Sequence, residues 1–239
     1  MTTDAVIQML WIGPELSSME RLSIRSFLAN GHDVHLYTYG DVAGIPDGTI
    51  VRDGNEILPS SRIFQYRDFA SYSGFSNYFR YRLLLLRGGW WVDADMVCMR
   101  PFHDLAGDHV FSSELHAGRQ FINTGAIKAP AGSAAIEWAW NSCDARDPST
   151  LLWGETGPRL LRAAVERFEL ESCVQPAESF CPLGYEEWDE LLSADAPPIP
   201  GAPYAIHLWN EMWRRAGRDK DARYDKGCLY ERLREQFGC

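Results

Sequence analysis

Phe75-Ser76-Asn77-Tyr78-Phe79-Arg80-Tyr81, then Gly88-Gly89-Trp90-Trp91-Val92, then Asp93-Ala94-Asp95 follow one another in a single stretch. Aromatic residues and leucines are dense before the glycine pair. A long helix is expected over Asp68–Arg87, with Gly74 as its weak point. Gly88-Gly89 stops it, and Trp90-Trp91-Val92 reads as a buried strand. Two carboxylates emerge where that strand ends. In extended backbone alternate side chains point the same way, so Asp93 and Asp95 share a face and Ala94 turns away. Two hard oxygen ligands on one face suit a divalent cation that also holds phosphate oxygens. Asp-x-Asp alone is an ordinary loop sequence; its place directly after Gly-Gly-Trp-Trp-Val makes it a candidate metal site.

The flanking sequence alternates strands and helices. Ala5–Ile12 is an apolar, β-branched run closed by Gly13-Pro14, and reads as a strand. Ser17-x-x-Glu20 is a capping box opening a helix that Asn30-Gly31 stops. Asp33–Tyr39 follows as a second strand, and strand–helix–strand with short connections favours a parallel unit. The stretch 41–61 reads as loops around short elements. Phe121–Ala129 reads as a strand, Gly132–Cys143 and Pro158–Glu171 as helices, Tyr204–Leu208 as a late strand, and Lys226–Phe237 as a terminal helix. The expected fold is α/β, with a mostly parallel central sheet flanked by helices. Ligands of such sheets bind beyond the carboxyl ends of the strands. Trp11-Ile12-Gly13, Asp93-Ala94-Asp95 and His207-Leu208-Trp209 all lie at such ends, which gathers them into one cleft.

Composition bounds the answer. The 239 residues fit one large domain, and 46% hydrophobic content excludes a disordered chain. A net charge of −10 argues against binding nucleic acid or anionic lipid through the overall field. The start lacks a signal-peptide pattern, and no run is apolar enough to span a bilayer. The six cysteines include no Cys-x-x-Cys pair, so reduced packing thiols are expected rather than a zinc site.

Asn77 and Arg80 are three apart on one face of the expected helix. A buried arginine there needs an anion, either a diphosphate or the strand-end carboxylates; a solvated helix-face salt bridge is the alternative. Trp11 is either a nucleobase platform or a core tryptophan. His207 is either a third metal ligand or a packed, hydrogen-bonded histidine. Arg214 and Arg215 face phosphate or simply solvent. Glu155, among loop formers, either serves a reacting sugar or caps the helix starting near Pro158.

The sequence from Phe75 to Asp95, with Arg100-Pro101 after it, resembles the sugar-nucleotide-binding region of DxD glycosyltransferases. Glycosyltransferase family 32, with its α-1,4-galactosyltransferase type, is the group it is most similar to. Trp11-Ile12-Gly13, Asn123-Thr124-Gly125, Thr156-Gly157-Pro158 and His207-Leu208-Trp209-Asn210 extend the resemblance over most of the chain. The resemblance implies a single GT-A domain over residues 1–239. Residues 1–130 would bind the nucleotide sugar, and 131–239 would supply the acceptor side and complete the metal shell. It implies a UDP-sugar or similar donor, Mn²⁺ or Mg²⁺, and retention of anomeric configuration. By position, Trp11 and Ile12 border the base, Arg80 reaches donor sugar or phosphate, and Asp93 and Ala94 lie along the donor. Asp95 binds the metal with Asp93 and His207. Asn123 borders the donor sugar, Trp209 approaches the terminal phosphate, and Glu155 faces the acceptor side of the reacting carbon. Many relatives carry aspartate where this chain has Asn77, which bears on the choice of donor sugar.

The resulting expectation is a bacterial, cytoplasmic transferase moving a sugar to a glycan or glycolipid, with peripheral contact at the inner membrane face. A nucleotide-sugar hydrolase, a protein-modifying glycosyltransferase and a non-catalytic sugar-binding module are the alternatives.

Overall fold

The computed structural model describes residues 6–67, 70–199 and 201–239. A six-stranded sheet runs in the order β3-β2-β1-β4-β7-β6. Its strands are β1 Val6–Leu10, β2 Asp33–Thr38, β3 Ile50–Asp53, β4 Gly89–Val92, β6 Val110–His116 and β7 Arg119–Ala129. β1 pairs in parallel with β2 and β4, and β2 with β3, whereas β7 runs antiparallel to β4 and β6. A separate two-stranded ribbon joins β5 Met96–Cys98 to β8 Ala205–His207. The helices are α1 Ser18–Ala29, α2 Ser73–Arg87, α3 Ala134–Asp144, α4 Pro158–Arg167, α5 Asn210–Arg215 and α6 Leu229–Gln236. None is long and apolar enough to cross a membrane.

Strand alternation builds two cores, one on each face of the sheet. Trp91, Tyr37 and Ile127 point to a core completed by α2, α3 and α4. Trp90, Ile7, Met9 and Val34 point the other way, to a core shared with α1 and the β5–β8 ribbon. Consecutive tryptophans on β4 therefore anchor opposite faces, as a period of two requires. A third cluster packs α6 and Trp213 of α5 against Met19 and Leu22 of α1.

The capping box forms as its spacing predicts: the Glu20 carboxylate accepts from the Ser17 N–H at 2.8 Å. Gly88 ends α2 with φ of +63°, and a Cβ there would sit 2.5 Å from the Ala131 amide nitrogen, so only glycine fits.

Several boundaries differ from the sequence expectation. The helix expected from Asp68 begins at Ser73, and Asp68 and Phe69 lie outside the described residues, as does Ala5. Helix α4 stops at Arg167 rather than Glu171, because Glu169 turns left-handed at φ +56° and lets the Leu170 N–H return to the Val165 carbonyl. The loop stretch 41–61 contains edge strand β3. Strands β5 and β6 and helix α5 were not expected; β5 is too short, with three residues, to show a period.

Candidate active site

Strand β4 delivers Asp93 to the carboxyl edge of the sheet, beside the end of β1 and its Trp11. The two carboxylates then converge for a reason other than strand alternation. Residues 93–96 form a turn, closed by the Met96 N–H on the Asp93 carbonyl at 3.2 Å. The Asp93 N–H is held by the Gly125 carbonyl at 2.7 Å. Beyond the turn, β5 pairs Met96 with His207 of β8, and the Leu208 N–H binds the Asp95 carbonyl at 2.8 Å. The ribbon thus carries His207 to Asp95, with Nε2 3.3 Å from Oδ1. Ligand atoms of Asp93, Asp95 and His207 all lie within 4.8 Å of one another. Two carboxylates and an imidazole are a donor set a divalent cation accepts.

The ribbon is held in register from α1. The buried Ser23 hydroxyl donates to the Met96 carbonyl at 2.6 Å, and Ser26 Oγ accepts the Cys98 N–H at 2.7 Å. These serines satisfy the open edge of β5 that no strand covers.

Charge in the site is balanced internally. Arg80 is 3% exposed and donates to Asp93 Oδ1 at 2.7 Å, Asn77 Oδ1 at 2.6 Å and Ser76 Oγ at 3.2 Å. Its guanidinium lies 5.0 Å from the Trp91 ring centre, and the Trp91 N–H also donates to Asp93 Oδ1, at 2.8 Å. Of the two anions that sequence allowed for Arg80, the structure supplies the strand-end carboxylate. Burial pushes Asp93 above its ordinary pKa despite Arg80. Burial pushes Asp95 upward too, but the His207 charge and hydrogen bond outweigh it and hold Asp95 below the usual range. The Asn210 N–H on Asp95 Oδ2, at 2.8 Å, works in the same direction. Burial alone lowers His207, yet the Asp95 carboxylate carries it well above an ordinary histidine.

The remaining expected residues fall in different places. Trp11 is half-buried, its indole N–H on the Glu15 carbonyl at 3.0 Å and Lys220 Nζ 5.5 Å from its ring centre. Ile12 packs beside the α2 core and Ala94 beside the α1 core, both half-buried. Asn77 is buried, and its amide donates to Thr156 Oγ1 at 3.3 Å. Asn123 is buried beneath the cluster, accepting the Gly125 N–H at 2.6 Å. Trp209 stacks on His207 with ring centres 3.9 Å apart, and its indole N–H is taken by the Leu183 carbonyl at 3.0 Å. With its indole N–H held there, Trp209 packs flat against the histidine. Glu155 pairs with Arg146 and accepts the Leu152 N–H at 3.1 Å. It does not cap α4, whose N-cap Gly157 carries no side-chain bond. Arg214 and Arg215 both pair with Glu211.

Two residues near the site escaped sequence reading. Cys181 places Sγ 3.8 Å from His207 Nδ1. Burial pushes the carboxyl of Glu114 on β6 up, while the His207 charge and Asn123 pull it down. The legible signal was the polar alternation Ser112, Glu114, His116.

No protein-family model matches the chain. Over 75 residues it is 28% identical to lactosylceramide 4-alpha-galactosyltransferase of Pan troglodytes, covering 25% of this chain and 21% of that one. It is 27% identical over 75 residues to the Pongo pygmaeus protein of that name, covering 25% of this chain and 34% of that one. The chain thus matches about a third or less of these relatives' length. Among solved structures, the WbbM bifunctional glycosyltransferase aligns with TM-score 0.55 and 11% identity, over 99% of this chain and 50% of that one. GlyE of Streptococcus pneumoniae gives 0.52 and 15%, over 99% and 64%. The PaToxG glycosyltransferase gives 0.50 and 17%, over 69% of each. The fold is GT-A.

Proposed function

We propose that this chain is a metal-dependent, retaining glycosyltransferase that takes a nucleotide sugar, a UDP-sugar in the first instance, and passes the sugar to a glycan or glycolipid. The convergence of Asp93, Asp95 and His207 within 4.8 Å, at the carboxyl edge of a GT-A sheet, carries this reading. The glycosyltransferase names of the structural neighbours, and the glycolipid galactosyltransferase name of the matched relatives, support it. In this reading the whole chain is one domain, residues 1–130 holding the donor and 131–239 contributing the acceptor side and His207.

Asp93, Asp95 and His207 would hold Mn²⁺ or Mg²⁺. When bound, that cation supplies positive charge to a diphosphate as it departs. Arg80 fixes the Asp93 carboxylate, and the Asn210 N–H fixes that of Asp95, so the site is organised before the donor arrives. Trp11, at the end of β1 with Lys220 beside its ring, offers the base a platform and the donor a cation. Reaction at the anomeric carbon makes it oxocarbenium-like. The departing diphosphate is itself a base, so front-face attack needs no enzyme nucleophile. Glu155, engaged with Arg146, is a poor one.

The test is a thermal-shift screen of nucleotide sugars with and without Mn²⁺, followed by product analysis with and without acceptor glycosides. A ligand that binds the native state raises its melting temperature. Stabilisation by a UDP-sugar only when Mn²⁺ is present, lost in Asp95→Asn, is the expected result. Release of free sugar at the same rate with every acceptor offered would make the chain a hydrolase instead.

A further inference from the structure

A cavity of about 300 Å³ opens between the β6–β7 hairpin, the start of α4 and Tyr185. Its lining includes Glu114, His116, Phe121, Pro158, Arg159 and Tyr185. Glu114 and His116 are two apart on β6, and Phe121 is the cross-strand partner of Glu114, so the three share one face of the hairpin. Tyr185 lies over His116, rings nearly parallel with centres 5.4 Å apart. The walls thus combine ring faces with charged side chains, and the volume matches the lower end of small-ligand sites.

Two contacts connect this cavity to the metal-ligand cluster. Tyr185 packs edge-on to Trp209 at 6.3 Å, and Trp209 stacks on His207. Glu114 of the lining sits close enough for the His207 charge to pull on its carboxyl, against the upward push of burial. One Glu114 oxygen, Oε2, is buried and has no hydrogen-bond partner. A carboxylate oxygen out of water without a donor is costly, and a side-chain rotation that brought it to the cavity would let a ligand hydroxyl satisfy it. Glu155, the carboxylate that sequence favoured for the acceptor side, is tied to Arg146 and is absent from this lining.

We propose that this cavity is the acceptor subsite, that it takes one sugar ring against Tyr185 and Phe121, and that the Glu114 carboxylate accepts a hydrogen bond from a ring hydroxyl next to the attacking one. The assignment rests on the transferase reading. In the step, the acceptor oxygen bonds to the anomeric carbon as the bond from that carbon to the diphosphate oxygen breaks. The bonding pair leaves with the nucleoside diphosphate, and the hydroxyl proton passes to the departing phosphate oxygen. Glu114 holds the neighbouring hydroxyl, and so the ring, and ends the step unchanged.

The experiment compares wild type, Glu114→Gln and Tyr185→Ala. The probes are UDP-galactose and UDP-glucose with Mn²⁺, and a panel of methyl glycosides: galactoside, glucoside, mannoside, N-acetylglucosaminide and lactoside. Glycoside binding is read by saturation-transfer NMR, independently of turnover, and donor binding by calorimetry. Thermal unfolding reports whether each variant is folded. Loss of one charged hydrogen bond corresponds to roughly a tenfold to hundredfold weakening. The expected result is that both variants weaken glycoside binding, or raise the acceptor KM, by that factor while donor and Mn²⁺ affinity stay within about twofold. Glycoside binding unchanged in folded Glu114→Gln overturns the assignment. So does an equal loss of donor affinity, or a wild type that binds no glycoside of the panel. Glycoside binding that depends on Glu114, in a protein that binds no UDP-sugar, would retain the subsite and sink the transferase reading.

Discussion

Arg80 is a buried positive charge set against a carboxylate that is itself mostly buried. Asp93, Asn77 and Ser76 take bonds from its two terminal nitrogens, while Nε has no partner. Removing the guanidinium leaves Asp93 next to Asp95 without its counter-charge. Arg80→Ala should therefore cost about 3 kcal/mol, as breaking a buried pair does, read as a lower midpoint in urea unfolding. A midpoint within experimental error of wild type would mean that solvent screens the pair. At the metal ligands, Asp95→Asn should weaken Mn²⁺ binding by more than the roughly tenfold to hundredfold that loss of an outer-shell partner costs, measured by calorimetry. Strand ends pointed to Asp93, Asp95 and His207 as neighbours, but the antiparallel β5–β8 ribbon, not a shared parallel edge, brings His207 to Asp95. Glu114 was not readable that way. It sits inside a strand, and only the pairing of β6 with β7 and the arrival of Tyr185 give it a cavity to face. Glu155 stood out because it is flanked by loop residues; Arg146, nine positions earlier, pairs with it.

The β5–β8 ribbon does the positioning, and α1 holds the ribbon. Ser26 Oγ both accepts the Cys98 N–H and donates to the Ser23 carbonyl at 2.6 Å. Ser26→Ala would strand a buried N–H, at a cost of about 1–3 kcal/mol. Hydrogen exchange at Cys98 should rise in that variant more than at the sheet strands; equal rises would show general loosening instead. Gly125 presses on the same ribbon. A Cβ there would meet Asn123 Oδ1 at 2.8 Å, Met96 Sδ at 3.1 Å and His207 Cε1 at 3.3 Å. Gly125→Ala should shift His207 and lower Mn²⁺ affinity, with little change in donor-free unfolding beyond about 1–3 kcal/mol of overpacking. The sequence showed α1 through its capping box and β4 through its glycine pair, since both signals are local. It did not show β5, because three residues carry no period, nor the part played by Ser23 and Ser26. Serines on a helix read as solvent-facing until a strand edge is known to lie against them.

At the scale of the molecule, the two cores hold the sheet and the last segment closes the cleft side. Asp221 accepts the Ser18 N–H at 2.7 Å at the start of α1, and Glu231 accepts the Tyr224 N–H at 3.1 Å. Burial raises both carboxyls, but Ser18 and Arg21 for Asp221, and Tyr224, Arg223 and Arg234 for Glu231, outweigh it and hold them low. A carboxylate depressed by folding adds stability above its unfolded pKa, and that stability is lost as pH falls through the folded value. Acid below about pH 4 should therefore loosen residues 219–236 from α1 before the sheet melts. Exchange rates corrected for intrinsic pH dependence would show it, and uniform protection down to global unfolding would contradict it. The alternation of strands and helices displayed the layers in advance, whereas this closure, made by contacts between α1 and residues some 200 positions later, had no local trace. The same long reach has a consequence for biosynthesis. Asp93 and Asp95 leave the ribosome more than a hundred residues before the imidazole that joins them. A nascent chain can lay down most of its central sheet and still lack the imidazole, so the three-residue cluster forms only after residue 207 has been made.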